Sequence, residues 1–103
     1  MERYCFTMRI RQGSEDEYQR RHDEIWPEMV QALQQAGIAN YTLFRSGLDV
    51  VGYAECHPDA ASAWQQVAAS DANRRWQEWF SDLIVSRSDG DESGGYAEVW
   101  HLD

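Results

Sequence analysis

Arg3-Tyr4-Cys5-Phe6-Thr7-Met8-Arg9-Ile10-Arg11 is the stretch on which the fold turns. Tyr4, Phe6, Met8 and Ile10 fall on one side of an extended chain, and Arg3, Thr7, Arg9 and Arg11 on the other. A two-residue period with one apolar face predicts a strand. Gln12-Gly13-Ser14 then makes a turn, and Ser14 with Glu17 three residues on has the form of a capping box that opens a helix. The helix is expected to run to about Ala36, with Gly37 as its stop. Pro27 lies inside it and should kink or restart it, and the restriction before proline falls on Trp26.

Further along, Asn40 to Arg45 reads as a second strand, Ser46-Gly47-Leu48-Asp49 as a hairpin turn, and Val50 to Cys56 as a third strand. His57-Pro58-Asp59 ends that strand and opens a helix over Ala60 to Ala69, with Trp64 and Val67 on one side. Ser70 or Asp71 caps another helix whose apolar positions are Trp76, Trp79, Phe80 and Leu83. Ser86 to Gly95, polar and glycine-rich, reads as a loop, and Tyr96 to Leu102 as a last strand. The order β-α-β-β-α-β is that of a ferredoxin-like α+β sandwich. Right-handed crossovers are expected to set the first and third strands side by side and parallel. Cys5 at the start of one and Cys56 at the end of the other would then sit well over ~10 Å apart, too far for a disulfide. Helices would cover one sheet face. The other, with Cys5, Val50, Ala54 and Val99 as its candidate residues, is expected to meet a second copy of the chain.

Composition narrows the possible functions. A chain of 103 residues reads as a single domain over 1–103, and 43% hydrophobic residues suffice for a core. Its net charge of −9 argues against nucleic acid and anionic membranes as partners. All nine basic residues are arginine, which excludes a Schiff-base lysine and a phosphate-loop lysine. No apolar run has the length of a signal peptide or a membrane span, so the expected compartment is the cytoplasm. The two cysteines read as buried thiols.

Candidate chemistry centres on Glu17-Tyr18-Gln19-Arg20-Arg21-His22-Asp23-Glu24-Ile25-Trp26-Pro27-Glu28. Tyr18, His22 and Trp26 are spaced four apart and share a helical face. An imidazole between two rings with polar tips suits a small polar ligand, and its ordinary pKa of ~6.5 lets it give or accept a proton near neutral pH. The plainer reading of His22 is a surface histidine paired with Asp23 or Glu24. His57 reads as a turn residue and His101 as structural or interfacial, and the histidines are too scattered for metal-ligand spacing. Trp64 and Trp79 are assigned to the core. Arg20 and Arg21 read as solvated or paired along the helix with Asp16, Glu17 or Glu24. Arg74 and Arg75 lack the glycine loop that would make them an anion site.

The run Glu17 to His22 with Ile25-Trp26-Pro27-Glu28 closely resembles the L-rhamnose mutarotases, and the similarity extends through Gly37, Asn40-Tyr41, Trp64, Val67-Ala68, Ser70-Asp71, Arg75-Trp76 and Glu98-Val99. The resemblance implies a homodimer of ferredoxin-like subunits, a dimeric α+β barrel, that interconverts the α and β anomers of L-rhamnose or a closely related 6-deoxy aldose with no metal or organic cofactor. Carried over by position, the family's histidine proton donor falls on His22, its sugar-contacting tyrosines on Tyr18 and Tyr41, and the start of its tryptophan pair on Trp76. The next residue is Gln77 rather than a second tryptophan, and it becomes a possible hydroxyl contact. Two other readings stand beside this one. Fold analogy allows a cofactor-free monooxygenase or lactone isomerase, with a more apolar cavity. A ligand-binding dimer without turnover would hold a saccharide and leave its anomers unexchanged.

Overall fold

A computed structural model describes residues 1–87 and 95–103. The elements run β1 (Glu2–Ile10), α1 (Glu15–Asp23), α2 (Pro27–Gln35), β2 (Ile38–Ser46), β3 (Asp49–Cys56), α3 (Ala60–Ala68), α4 (Asp71–Phe80) and β4 (Ile84–Arg87). The strands form one four-stranded sheet in the order β2-β3-β1-β4. The ferredoxin-like α+β arrangement expected from the element order is the one observed.

β1 and β3 are neighbours as expected, but they pair antiparallel, with Cys5 opposite Tyr53 and Met8 opposite Val50. The α1–α2 segment carries the chain back so that β2 can run in the direction of β1. The hairpin at Gly47-Leu48 then reverses it, and β3 must oppose both neighbours. The cysteines therefore stay apart for a different reason. Glu2, not Cys5, lies opposite Cys56, and the odd offset puts the two thiols on opposite sheet faces. Both are free, Cys56 buried and Cys5 half-buried.

Pro27 restarts the helix rather than bending it. α1 ends at Asp23, and α2 begins with Pro27 in its first turn behind an extended Trp26 (φ −69°, ψ 139°). This is the backbone region that a following proline imposes. Ser14 precedes α1 but does not cap it through its side chain. Its hydroxyl donates instead to the Arg11 carbonyl at 2.5 Å. Glu17, the other half of the expected box, accepts from Arg20 and Arg21. Side-chain caps do appear at Asp59, which accepts from the Ser62 N–H, and at Ser70, which accepts from the Asn73 N–H.

Phe6, Met8 and Ile10 of β1 and Val50, Ala54 and Cys56 of β3 are buried beneath Met29, Ala63, Val67, Trp76 and Phe80 of the helices. Val50 and Ala54, expected on the outer face, thus belong to the core, because antiparallel pairing sets Val50 opposite Met8 and Ala54 opposite Tyr4. The outer face carries Cys5, Thr7, Val51 and Phe44, the last two exposed.

The last strand is also corrected. Ile84–Arg87 pairs with the C-terminal half of β1, Met8 opposite Arg87 and Ile10 opposite Ile84. In the expected strand from Tyr96 to Leu102, only Tyr96 makes a ladder contact, a single bridge to Cys5. The β1 edge that this segment would have used is already half taken by β4. The segment is tied instead by side chains, Arg3 to Glu98 at 3.2 Å and to His101 at 2.9 Å, and Val99 and Trp100 stay exposed. Of the expected loop from Ser86 to Gly95, Ser86 and Arg87 are strand, and 88–94 lies outside the described residues.

Candidate active site

A cavity of about 530 Å³ opens where residues of α1, α2, α3 and α4 face β2. One wall is carbon, built from Ile25, Met29, Val30 and Leu33 of the α1–α2 segment. His22, Tyr41, Trp76 and Gln77 also line the cavity. A smaller recess of about 40 Å³ adjoins it and brings Tyr18 and Arg87 to the same four residues. All five residues expected from the sequence therefore converge on one place.

His22 sits one turn after Tyr18, and its Nδ1 lies 3.0 Å from the Tyr18 carbonyl. A carbonyl only accepts, so Nδ1 carries the proton and Nε2 keeps its lone pair. The ring is packed among Tyr18 (4.6 Å between centroids), Phe80 (5.0 Å) and Trp76 (5.6 Å, edge-on). That burial pushes its pKa below the ordinary 6.5, against the weaker opposite pull of the Tyr18 carbonyl and Asp23. The imidazole is thus neutral at pH 7, with a base nitrogen available beside the cavity.

Tyr18 contributes mainly through its backbone. Its side chain is 5% exposed, and its hydroxyl points to the Met8 sulfur at 4.0 Å. Burial raises the phenol to about 12, with Arg87 and Arg45 pulling the other way. Trp76 is 6% exposed and wedged between Trp26, at 5.1 Å, and Phe80, at 4.6 Å, which leaves little of its ring for stacking on a ligand. Tyr41 packs edge-on against Trp64 at 5.5 Å. Gln77 accepts from Arg87 Nη2 at 2.5 Å and donates to Asn73 Oδ1 at 3.2 Å, so its amide is already oriented.

Arg87 and Asn73 are site residues that the sequence reading missed. Arg87 fell in the segment read as a loop, and Asn73 had no motif around it. Trp64, assigned to the core, is half-buried and lines the cavity. Of the arginines, Arg20 pairs with Glu17 and Glu24 along the helix as expected. Arg21 pairs with Glu17 along the helix as expected, but it is also buried. It donates to the Trp79 carbonyl and to Asp82, and its guanidinium lies 4.8 Å from the centre of the Trp79 ring. It joins α1 to the end of α4. Arg74 and Arg75 are spent on Asp71, Glu78 and Glu28.

The domain is ferredoxin-like and holds an imidazole in a ring of aromatic side chains, beside a cavity lined by apolar and hydrogen-bonding groups, an arrangement that can move a proton on a small polar molecule. Residues 3–102 match the family model for L-rhamnose mutarotase. The chain belongs to the L-rhamnose mutarotase family. It is 40% identical over 90 residues to an L-rhamnose mutarotase of Burkholderia orbicola, covering 87% of this chain and 86% of the relative. It is 33% identical over 106 positions to one of Oceanobacillus iheyensis, covering 100% of each. The crystal structure of an L-rhamnose mutarotase from Formosa agariphila has the same fold, with a TM-score of 0.78 over 100% of both chains at 21% identity.

Proposed function

We propose that this chain interconverts the α and β anomers of L-rhamnose or a closely related 6-deoxy aldose, with His22 as the acid/base group and Tyr18, Tyr41, Trp76 and Gln77 as the residues that shape the sugar site. The observation that carries this reading is the His22 ring, held in one tautomer by the Tyr18 carbonyl at 3.0 Å and facing a cavity. Family membership supplies the substrate class.

The chemistry moves one proton between two oxygens on the same carbon. Nε2 of His22 takes the proton from the anomeric hydroxyl, the C1–O5 bond breaks, and C1 becomes an aldehyde. The imidazolium returns the proton to O5. Rotation about C1–C2 turns the other aldehyde face to the O5 hydroxyl, and the reverse transfer closes the ring as the second anomer. Atoms and charge balance with a single group, and the substrate ends with the composition it began with. The carbon wall of Ile25, Met29, Val30 and Leu33 suits the methyl of a 6-deoxy sugar, and the amide of Gln77 suits a hydroxyl.

The same proposal includes a cytoplasmic homodimer. Two free thiols fit a reducing compartment. Phe44 (61% exposed) and Val51 on the outer sheet face, with Val99 and Trp100 beyond it, are large apolar groups of the kind a second subunit covers. Sedimentation equilibrium decides the assembly, and a monomer at all concentrations would refute it.

Saturation-transfer NMR on L-rhamnose, with the wild type and His22→Ala, tests the activity. Faster anomer exchange with the wild type alone is expected. No acceleration on any aldose would overturn the reading.

A further inference from the structure

Tyr41 does not reach the cavity by ordinary strand alternation. Ile38 of β2 lies opposite Cys56 of β3 and Ala39 opposite Glu55, and the next regular pair is Thr42 with Tyr53. Between those pairs β2 spends two residues, Asn40 and Tyr41, against the single Ala54 of β3. This is a β-bulge, with the extra residue at Asn40. Asn40 has φ +49°, the only positive φ among the described residues other than glycine. Asparagine is among the few side chains that tolerate this region.

The bulge changes which way β2 faces. In an unbroken strand, Ile38 and Tyr41, three apart, would point to opposite sides. Here both turn toward the helices. Ile38 is buried, and the Tyr41 ring packs against Phe6 at 6.2 Å and lines the cavity. The side chain of Asn40 is fastened from the outer side of the sheet. Its Nδ2 donates to Glu55 Oε1 at 2.9 Å, and the Tyr53 hydroxyl donates to Glu55 Oε2 at 2.9 Å. These two donors hold the Glu55 carboxyl below the usual carboxylate range. The Thr42 hydroxyl donates to the Asn40 carbonyl at 3.2 Å, which ties the other end of the residue.

We propose that Asn40 and Glu55 are positioning residues for Tyr41: the Asn40–Glu55 hydrogen bond fixes the bulge that turns the Tyr41 ring into the cavity. Asn40 itself lines the cavity beside Tyr41, whereas Glu55 acts from the face of the sheet opposite the site and does not line it. The kinetic half of the proposal rests on Tyr41 acting in the mutarotation proposed above. The structural half does not.

Two readouts test it. The first is the proton NMR shift of the Tyr41 ring, which sits in the ring-current field of Trp64. In Glu55→Ala and Asn40→Ala this signal is expected to move toward the free-tyrosine position. Asn40→Gly keeps positive φ free of steric cost but cannot bond Glu55, so there too the signal is expected to move. An unmoved signal in both alanine variants would overturn the proposal whatever the enzyme's activity. The second is anomer exchange. Glu55→Ala is expected to raise KM about three- to tenfold, the worth of one misplaced hydrogen bond, with kcat near the wild-type value, and Asn40→Gly, which loses the same bond, to raise KM as well. In a Tyr41→Phe background, Glu55→Ala is expected to add nothing further. Independent, multiplying effects of the two substitutions would overturn the link to Tyr41. Absence of exchange in the wild type would refute the activity and leave the ring-shift test standing.

Discussion

His22→Gln is the most demanding test of the site. Glutamine is close to histidine in size and can still donate to the Tyr18 carbonyl, so the surrounding rings keep their packing and only the titratable nitrogen is lost. Positioned proton transfer is worth about 10²–10⁴ in rate, which is about 3–5 kcal/mol of barrier. The substitution should therefore lower kcat by at least about a hundredfold, with a smaller change in KM. The structure also fixes the shape of the pH profile. Because burial depresses the imidazole below 6.5, the neutral ring dominates at pH 7, and kcat should hold level on acidification until the pH is below 6.5. The same shift acts on stability. Above 6.5 both folded and unfolded states hold a neutral ring. Below it the unfolded chain takes the proton first, and stability falls until the lower folded pKa is passed. His22→Gln should remove that part of the acid sensitivity. The assay is saturation-transfer NMR between pH 5 and 8, with urea unfolding at the same pH values. A loss of less than about tenfold, or an acid limb centred above 6.5, would refute the assignment of His22.

Three further outcomes follow from the packing. Tyr18→Phe leaves the backbone carbonyl that holds Nδ1 in place, so it should slow exchange by no more than about tenfold, one hydrogen bond's worth. Ultraviolet titration of the wild type should show one tyrosine, absent in this variant, that ionises only near 12. Arg21→Met removes the guanidinium between Glu17, Asp82 and the Trp79 carbonyl. Because Asp82 remains half in water, the expected loss in urea unfolding is about 2–3 kcal/mol, less than for a fully buried pair. Gly37→Ala should cost about 2 kcal/mol or more, since Gly37 has φ +96° and an added Cβ would collide with the His57 carbonyl; an unchanged urea midpoint would refute that contact.

Much of this molecule is readable from local pattern, and what is not readable is long-range. The alternation of β1, the break at Pro27, the stop at Gly37 and the turn at Gly47 are each decided by a few neighbouring residues, and each is found where expected. The direction of β3 against β1 depends on how many times the chain reverses between them, which no single segment records. β4 was hidden because Ile84–Arg87 is too short to show a period, while the apolar residues after Tyr96 imitate one. Four of the five expected site residues converge because α1 and α4 carry their spacing directly into space, and Tyr41 joins them through the bulge in β2. Arg87 and Asn73 join through tertiary contact alone. The bulge left one faint mark in the sequence: an asparagine between Ile38 and Tyr41, two large side chains separated by an odd step.

The tryptophans around His22 have an optical consequence. Trp76 meets the imidazole edge-on at 5.6 Å and also touches Trp26 and Trp79, so excitation absorbed by any of the three can reach the indole beside the histidine. A protonated imidazole at that range quenches indole emission, and a neutral one does so far less. Emission from this three-indole cluster is therefore expected to fall as His22 takes a proton, over a background from Trp64 and the exposed Trp100.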